Sequence, residues 1–354
     1  MKCCIVTDME GLAGVDHWDQ CYAPDDASPA YGYGLTQLAA DTNATIAGCF
    51  DAGATEVVVW DGHGRNRQRA FTRVALDPRA RFARINAGAP LHLEGLDREV
   101  AGVFMVGQHA MAGTLHGFLD HTQCPKEICR YCIGGTEHGE MGQFALYAGA
   151  QGVPLLHVSG DEALCAEARR LFPWVATTPT KRGTGWATCE LYPPAAVRTR
   201  IRSDVAAALR HRDRARPWQP SLPTAIEVEY AWTELADRFA AIPGVRRPHP
   251  RTVAWTLRDP RLRAHNDAVL ANVRAAAEAT GRSFCVMYDL SGLKAGEIES
   301  IVMQDWKRLR QILRVLESPA YQRHAGRPVV SVWGIGFGDG RDYTVEECAE
   351  LMRF

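Results

Sequence analysis

The chain opens MKCCIVTDMEGLAG (1–14), and its fold is decided by how this stretch is read. An apolar run, Cys3 to Val6, follows a single lysine and meets Asp8, Glu10 and two glycines. A short continuous apolar run stopped by glycine predicts a parallel strand buried on both faces and leading into a loop. Carboxylates just past such a strand stand where open α/β sheets bind ligands, beyond the carboxyl ends of their strands. An Asx-turn or a helix cap would account for one Asp–x–Glu by itself, so the rest of the chain decides.

The opening pattern recurs. TEVVVWDGHG (55–64) predicts a strand ending in Asp61 and His63, VAGVFMVGQHA (100–110) one ending near His109, and VPLLHVSGDEA (153–163) one closing on Gly160 and Asp161. Between them, LTQLAADTNATIAGCFDAGA (35–54) sets Leu35, Leu38, Ile46 and Phe50 on one helical stripe, with Gly53 as a stop. GEMGQFALYAGAQG (139–152) predicts a second helix and AAVRTRIRSDVAAALRHRDRARPW (195–218) a third. The arginines of that third helix suit its carboxyl end better than they suit a phosphate. TAIEVEYAW (224–232) alternates as a strand does. The expectation is an α/β fold, a mainly parallel sheet with helices on both faces in three layers. Near residue 258 the character changes. A helix over 265–282, a strand over 283–292, a helix around 306–315 and a strand over 327–340 predict a C-terminal βαβ-type extension. The expected division is 1–257 and 258–354.

Composition fits this reading. A chain of 354 residues suggests about two domains, and 46% apolar with 23% charged residues is an ordinary globule. A formal net charge of -1 gives no basic field for nucleic acid. No apolar run approaches the ~18 residues of a membrane span, and the run after Lys2 is too short for a signal peptide. Eleven cysteines without an export signal fit reduced thiols and a cytoplasmic location. Cys124, Cys129 and Cys132 in CPKEICRYC have part of a zinc-site spacing but lack a second pair, and read as small apolar side chains.

The chemistry collects at the element ends: Asp8, Glu10, Asp61, His63 and His109, then His116 and His121 in the loop HAMAGTLHGFLDHT (109–122), then Glu140 at a helix start. Neighbouring strands lie ~4.8 Å apart, so side chains at their shared edge converge. Mixed carboxylates and imidazoles suit zinc, manganese or iron rather than magnesium or calcium. They are more than one catalytic zinc uses, and fit two ions ~3.5–4 Å apart sharing a carboxylate, with Asp8, nearest the strand end, as the bridge. Asp61, two residues before His63, is placed to orient that imidazole, or else to close the turn.

Together VTDMEGLAGV (6–15), WDGHG (60–64), VGQHAMAG (106–113), DHT (120–122) and HGEMGQFALYAG (138–149) resemble the DppA-type zinc D-aminopeptidases. The likeness runs from residue 1 to about 257 and includes EVEYAWTELADRFAAIPGV (227–245). It implies metal ligands at Asp8, Glu10, His63, His109 and Glu140, two zinc ions per subunit, and a catalytic histidine at His121. Metal-activated water makes His121 a general acid–base or an oxyanion stabiliser rather than the nucleophile of the family's description. The His109–His121 loop is one residue longer than the family pattern and contains His116. The resemblance further implies short peptide substrates with a D-amino-acid N-terminus and a homo-oligomer, a decamer.

In the tail, SFCVMYDLSGL (283–293), DWKRLR (305–310) and SPAYQRHAGRPVVSVWGIGF (318–337) resemble endo-mannosidase-like glycoside hydrolase barrels. They span only about two of the eight βα units a barrel needs, so no sugar chemistry passes to Asp289, Asp305 or Asp339. The expected function is thus a dinuclear-zinc aminopeptidase with no nucleic-acid or membrane partner. The alternatives are a haloacid-dehalogenase-like phosphatase and a non-catalytic peptide- or sugar-binding module. The phosphatase reading has Glu10 where that class carries a second Asp, and leaves His63, His109, His121 and Glu140 without a task.

Overall fold

The structure is a computed structural model that describes residues 1–22, 28–63, 75–83, 95–242, 244–257, 264–290, 293, 295–311, 313–335 and 343–353. Two compact units divide the chain, the first ending at Arg261 and the second running from Leu262 to Phe354. The expected junction at 258 and the far ends of the expected strands 283–292 and 327–340 fall outside the described residues.

In the first unit the strands are β1 (Lys2–Thr7), β2 (Glu56–Asp61), β3 (Arg81–Phe82), β4 (Val100–Gln108), β5 (Ile128–Ile133), β6 (Thr136–Glu137), β7 (Leu155–Asp161), β8 (Ala176–Gly185), β9 (Thr188–Leu191), β10 (Thr224–Tyr230), β11 (Arg246–His249) and β12 (Thr252–Leu257). The helices are α1 (Pro29–Asp51), α2 (Glu140–Ala150), α3 (Glu162–Leu171), α4 (Pro194–Arg210) and α5 (Thr233–Ala240). A seven-stranded sheet has the order β3-β2-β1-β4-β7-β8-β9, parallel throughout except for β8 with β9. A second, antiparallel sheet has the order β11-β12-β10-β5-β6.

The alternation of β1 shows why its apolar run is unbroken. Cys3 and Ile5 join Val57, Val59 and Phe104 on one face, against Leu35, Leu38 and Ile46 of α1 and Val197, Ile201 and Val205 of α4. Cys4 and Val6 join Val58, Trp60 and Met105 on the other, against Met141 and Ala145 of α2 and Leu164 and Ala168 of α3. With both faces covered, the stretch from Cys3 to Val6 is apolar throughout. The three-layer expectation holds. The antiparallel sheet closes its own core, Ile133, Ile226, Val228, Tyr230 and Val253, over Leu235 of α5 and Leu146 of α2.

Helix α1 starts at Pro29, earlier than the stripe suggested, because Ser28 caps it and Pro29 opens its first turn. It stops before Gly53, whose φ of 88° is left-handed. Helix α4 ends at Arg210 rather than near Trp218. CPKEICRYC leads into β5, where Cys129 is exposed and Cys132 buried; Cys124 is half-buried, and all three are free thiols.

The carboxyl ends of β2, β1 and β4 lie side by side, and there the backbones almost touch. The Asp8 N–H donates to the Val106 carbonyl at 2.8 Å and the Gly11 N–H to the Gly107 carbonyl at 2.8 Å. A Cβ on Gly11 would sit 1.9 Å from the Gln108 carbonyl oxygen. Gly107, at φ 71°, would bring one 2.3 Å from the Asp8 carbonyl oxygen. Only hydrogen side chains allow this approach.

The second unit holds α6 (Ala264–Thr280), β13 (Val286–Asp289), α7 (Gln304–Gln311), β14 (Arg323–His324), β15 (Arg327–Pro328), β16 (Val330–Trp333) and α8 (Val345–Arg353). Strands β13 and β16 pair in parallel with α7 between them, as a βαβ unit requires. They form a sheet of two, and large apolar side chains on it, Met287 at 64% and Trp333 at 54%, are exposed. A two-stranded sheet is marginal by itself.

Two outcomes follow from these packings. Gly11→Ala lowers the stability of the protein by about 1–3 kcal/mol, the range for forced repacking, read as a lower urea midpoint at unchanged slope. In limited proteolysis of the intact protein, cleavage within 264–354 precedes cleavage within 1–257; equal rates would contradict the weaker second unit.

Candidate metal centre

Every proposed ligand reaches one buried region. Asp8 and Glu10 leave the end of β1, His63 lies two residues beyond β2, His109 directly follows β4, and Glu140 opens α2. Among the described residues two groups of donor atoms are close enough to hold an ion, Asp8–Glu10–His63 and His109–His121–Glu140. Asp8 touches both: its Oδ1 is 2.8 Å from His63 Nδ1 and its Oδ2 is 3.5 Å from His109 Nε2. Glu10 Oε2 is 3.5 Å from His63 Nδ1. Glu140 Oε1 lies 3.4 Å from His109 Nε2 and 3.8 Å from His121 Nε2.

Each imidazole is oriented by a backbone carbonyl. His109 Nδ1–H donates to Ala110 O at 2.9 Å, His121 Nδ1–H to Leu119 O at 2.8 Å, and His63 Nε2–H to Cys21 O at 2.9 Å. That choice fixes the tautomers and turns the remaining nitrogen of each ring toward the carboxylates. The His109 and His121 rings stack at 3.8 Å, helped by the His121 N–H donating back to Ala110 O at 3.3 Å. Lone pairs facing carboxylates need a cation between them, a proton or a metal ion.

Glu10 decides that the residues fit a metal. Its side chain is 1% exposed, and neither carboxylate oxygen has a hydrogen-bond partner. Burying a carboxylate without a donor costs several kcal/mol, at about the scale that cation ligation offsets. The mixed oxygen and imidazole set is the chemistry zinc takes.

The metal-free electrostatics show protons filling the gap. Burial, with the Glu10 charge adding to it, pushes the Asp8 carboxyl up to about 7. Burial opposes ionisation of Glu10 too, but the His63 charge holds its carboxyl well below the usual range. Burial disfavours the charged imidazole of His63, yet Glu10 and Asp8 raise its pKa well above the ordinary value; Glu140 and Asp8 do the same for His109. Glu140, half-buried beside His109, is held at about 2 although burial alone would raise it. His121 alone moves the other way, lowered by burial and by the neighbouring His109 charge. Metal binding would displace protons from such a site.

The loop that carries Glu10 is held from beneath. Lys181 on β8, fully buried, donates from Nζ to Glu10 O at 2.5 Å and Val15 O at 2.6 Å, with the Phe118 ring 4.6 Å away. Thr180 Oγ1 donates to Gly11 O at 2.6 Å. Asp41 accepts from the Ala13 N–H at 2.8 Å and pairs with Arg198 at 2.8 Å. None of these contacts is legible in the sequence, because a side chain that grips backbone carbonyls leaves no motif. Nor is that of Gln123, whose N–H donates to Glu140 Oε1 at 2.6 Å. A lysine inside a strand of small residues was the one available signal.

Two expected neighbours behave differently. Asp61 accepts from the His63 backbone N–H at 3.2 Å, so it shapes the turn, while the imidazole nitrogens go to Asp8 and Cys21. His116 is exposed, at φ 59°, and belongs to neither donor group. The His116 carbonyl packs where a Cβ on Gly183 would come within 2.0 Å.

Comparison with known proteins gives a consistent result. A family model described as D-aminopeptidase matches residues 1–264. A curated relative, the D-aminopeptidase of Bacillus subtilis (strain 168), is 29% identical over 244 residues, 69% of this chain and 86% of that protein. The solved structure of Zn-dependent D-aminopeptidase DppA from Bacillus subtilis, described as a self-compartmentalizing protease, superposes with a TM-score of 0.68 at 27% identity. That superposition covers 80% of this chain and 100% of that one. The likeness of the tail to endo-mannosidase-like barrels finds no support in these matches. The family match instead runs through every block that supplies a donor, from Asp8 to Glu140, and the chain therefore belongs to the D-aminopeptidase family of peptide-bond hydrolases.

Proposed function

We propose that this chain is a dinuclear zinc aminopeptidase acting on short peptides or amides with an N-terminal D-amino acid. The observation that carries the proposal is the buried, donor-less Glu10 carboxylate beside two donor groups that Asp8 joins. Asp8, Glu10 and His63 would hold one ion, and Asp8, His109 and Glu140 the other. Bound zinc supplies Lewis-acid polarisation of the scissile carbonyl and of water.

His121 is the acid–base residue of this reading. Its Nδ1–H is committed to Leu119 O, its Nε2 faces the site, and its lowered pKa keeps it neutral and able to accept a proton. Carried as an acid, the same proton reaches the leaving amine. Residues 258–354 are a C-terminal extension, and 1–257 are the peptidase domain.

The self-compartmentalizing neighbour supports a homo-oligomer, with a decamer as the expected size. Eleven free cysteines suit a reducing, cytoplasmic setting. No helix among the described residues is long and apolar enough to cross a membrane.

Elemental analysis of the purified protein is expected to give about two zinc ions per chain, and Glu10→Gln fewer. Magnesium alone would favour the phosphatase alternative, and no stoichiometric metal the binding module. Release of p-nitroaniline from D-Ala-p-nitroanilide is expected to stop with chelator. In His109→Ala it falls at least about a hundredfold, since even groups behind a ligand are worth about 10–100-fold. Activity surviving both treatments sinks the reading.

A further inference from the structure

Three aromatic rings stand in a row beside the donor histidines. Trp18 is in the middle, stacked on Tyr22 at 5.1 Å and 6° and on Trp186 at 6.0 Å and 29°. The row meets both metal-donor groups edge-on: Tyr22 lies 5.5 Å from the His63 ring at 72°, and Trp18 lies 6.5 Å from the His121 ring at 69°. Its ends are open. Tyr22 is 43% and Trp186 50% exposed, while Trp18 packs partly into the core.

The row is built in advance of any ligand. Trp18 sits in a helical turn, Trp18–Gln20, that His17 and Gln20 cap reciprocally. Trp186, in the β8–β9 turn, donates from Nε1 to Asp120 O at 3.2 Å, and its own carbonyl accepts from the Leu119 N–H at 2.6 Å. The loop that ends in His121 and the turn that carries Trp186 are therefore tied together by two hydrogen bonds. Exposed aromatic surface fixed beside a polar reaction centre is the usual make-up of a small-molecule subsite. Stacked rings turn their faces to one another and offer a strip of apolar edges, on which the face of an aromatic side chain can lie edge-to-face, whereas holding an ammonium group calls for ring faces set around it.

Resting on the D-aminopeptidase reading, we propose that Trp18, Tyr22 and Trp186 form the subsite for the side chain of the substrate's N-terminal residue. That side chain is bulky and apolar or aromatic, as in a D-phenylalanyl amide, rather than the methyl of D-alanine. A methyl group covers little of a three-ring strip, and an aromatic ring covers much of it. Each added methylene contributes about tenfold or more to discrimination in an apolar pocket.

The test compares kcat/KM for D-Phe-p-nitroanilide and D-Ala-p-nitroanilide in the zinc-loaded wild type, Trp186→Ala, Trp186→Phe and Trp232→Ala. Trp232, 65% exposed, lies just before α5 and is the control. The expected wild-type preference for D-Phe is about tenfold or more. It collapses in Trp186→Ala, largely through KM, and survives in Trp186→Phe and Trp232→Ala. Equal or better cleavage of D-Ala, with a ratio that Trp186→Ala leaves unchanged, overturns the subsite and leaves the D-aminopeptidase reading standing. If neither anilide is cleaved, that reading falls and the strip is judged by binding alone. Saturable quenching of tryptophan fluorescence by D-phenylalaninamide, lost in Trp186→Ala, supports it, and no quenching overturns it.

Discussion

Three carboxylates, Asp8, Glu10 and Glu140, share one buried space with three imidazoles, and the protein gives Glu10 no donor. Everything else about the site follows from that imbalance of charge. Like charges a few ångströms apart in a low-dielectric interior cannot all stay ionised without compensation. The metal-free chain compensates with protons, which is why Asp8 holds one to about 7 while His63 and His109 keep theirs. Divalent cations would do the same work, and so become part of what stabilises the fold around them.

The sheet order supplies the geometry at little cost. Placing β1 between β2 and β4 sets three strand ends in a row, and the close approach at Gly11 and Gly107 brings Asp8 within reach of ligands from both neighbours. Helix α2 adds Glu140 from the following segment, and β8 reaches under the same loop with Lys181 and Thr180. Here the ammonium goes to carbonyls and leaves the carboxylates to a metal. A lysine bonded to Glu10 itself would satisfy the charge and abolish the need for an ion.

Much of this was legible in the residues. The unbroken apolar run of β1 and the repeated strand-then-carboxylate or strand-then-histidine pattern point to the parallel sheet and its active edge. The expected ligands Asp8, Glu10, His63, His109 and Glu140 could be picked out because each stands just past a strand or at a helix start. What stayed hidden depends on contacts far apart in sequence. The antiparallel sheet was only half seen, because β11 and β12 are short and lean on β10 for their register. The sequence could not choose between the two roles open to Asp61, nor place His116, because proximity in sequence does not fix which way a side chain points. The aromatic row joins positions 18, 22 and 186, and no local pattern links them.

On the side away from the carboxylates, the three imidazoles lean on the main chain of residues 21, 110 and 119. A peptide oxygen has no titration of its own, and a protonated ring keeps the N–H that it donates, so acid leaves this tether in place. Nor can a substitution at those three places delete the tether, provided the local trace is kept. The orientation of the ligands is thus written into backbone path, a record that survives drift in the residues that carry it.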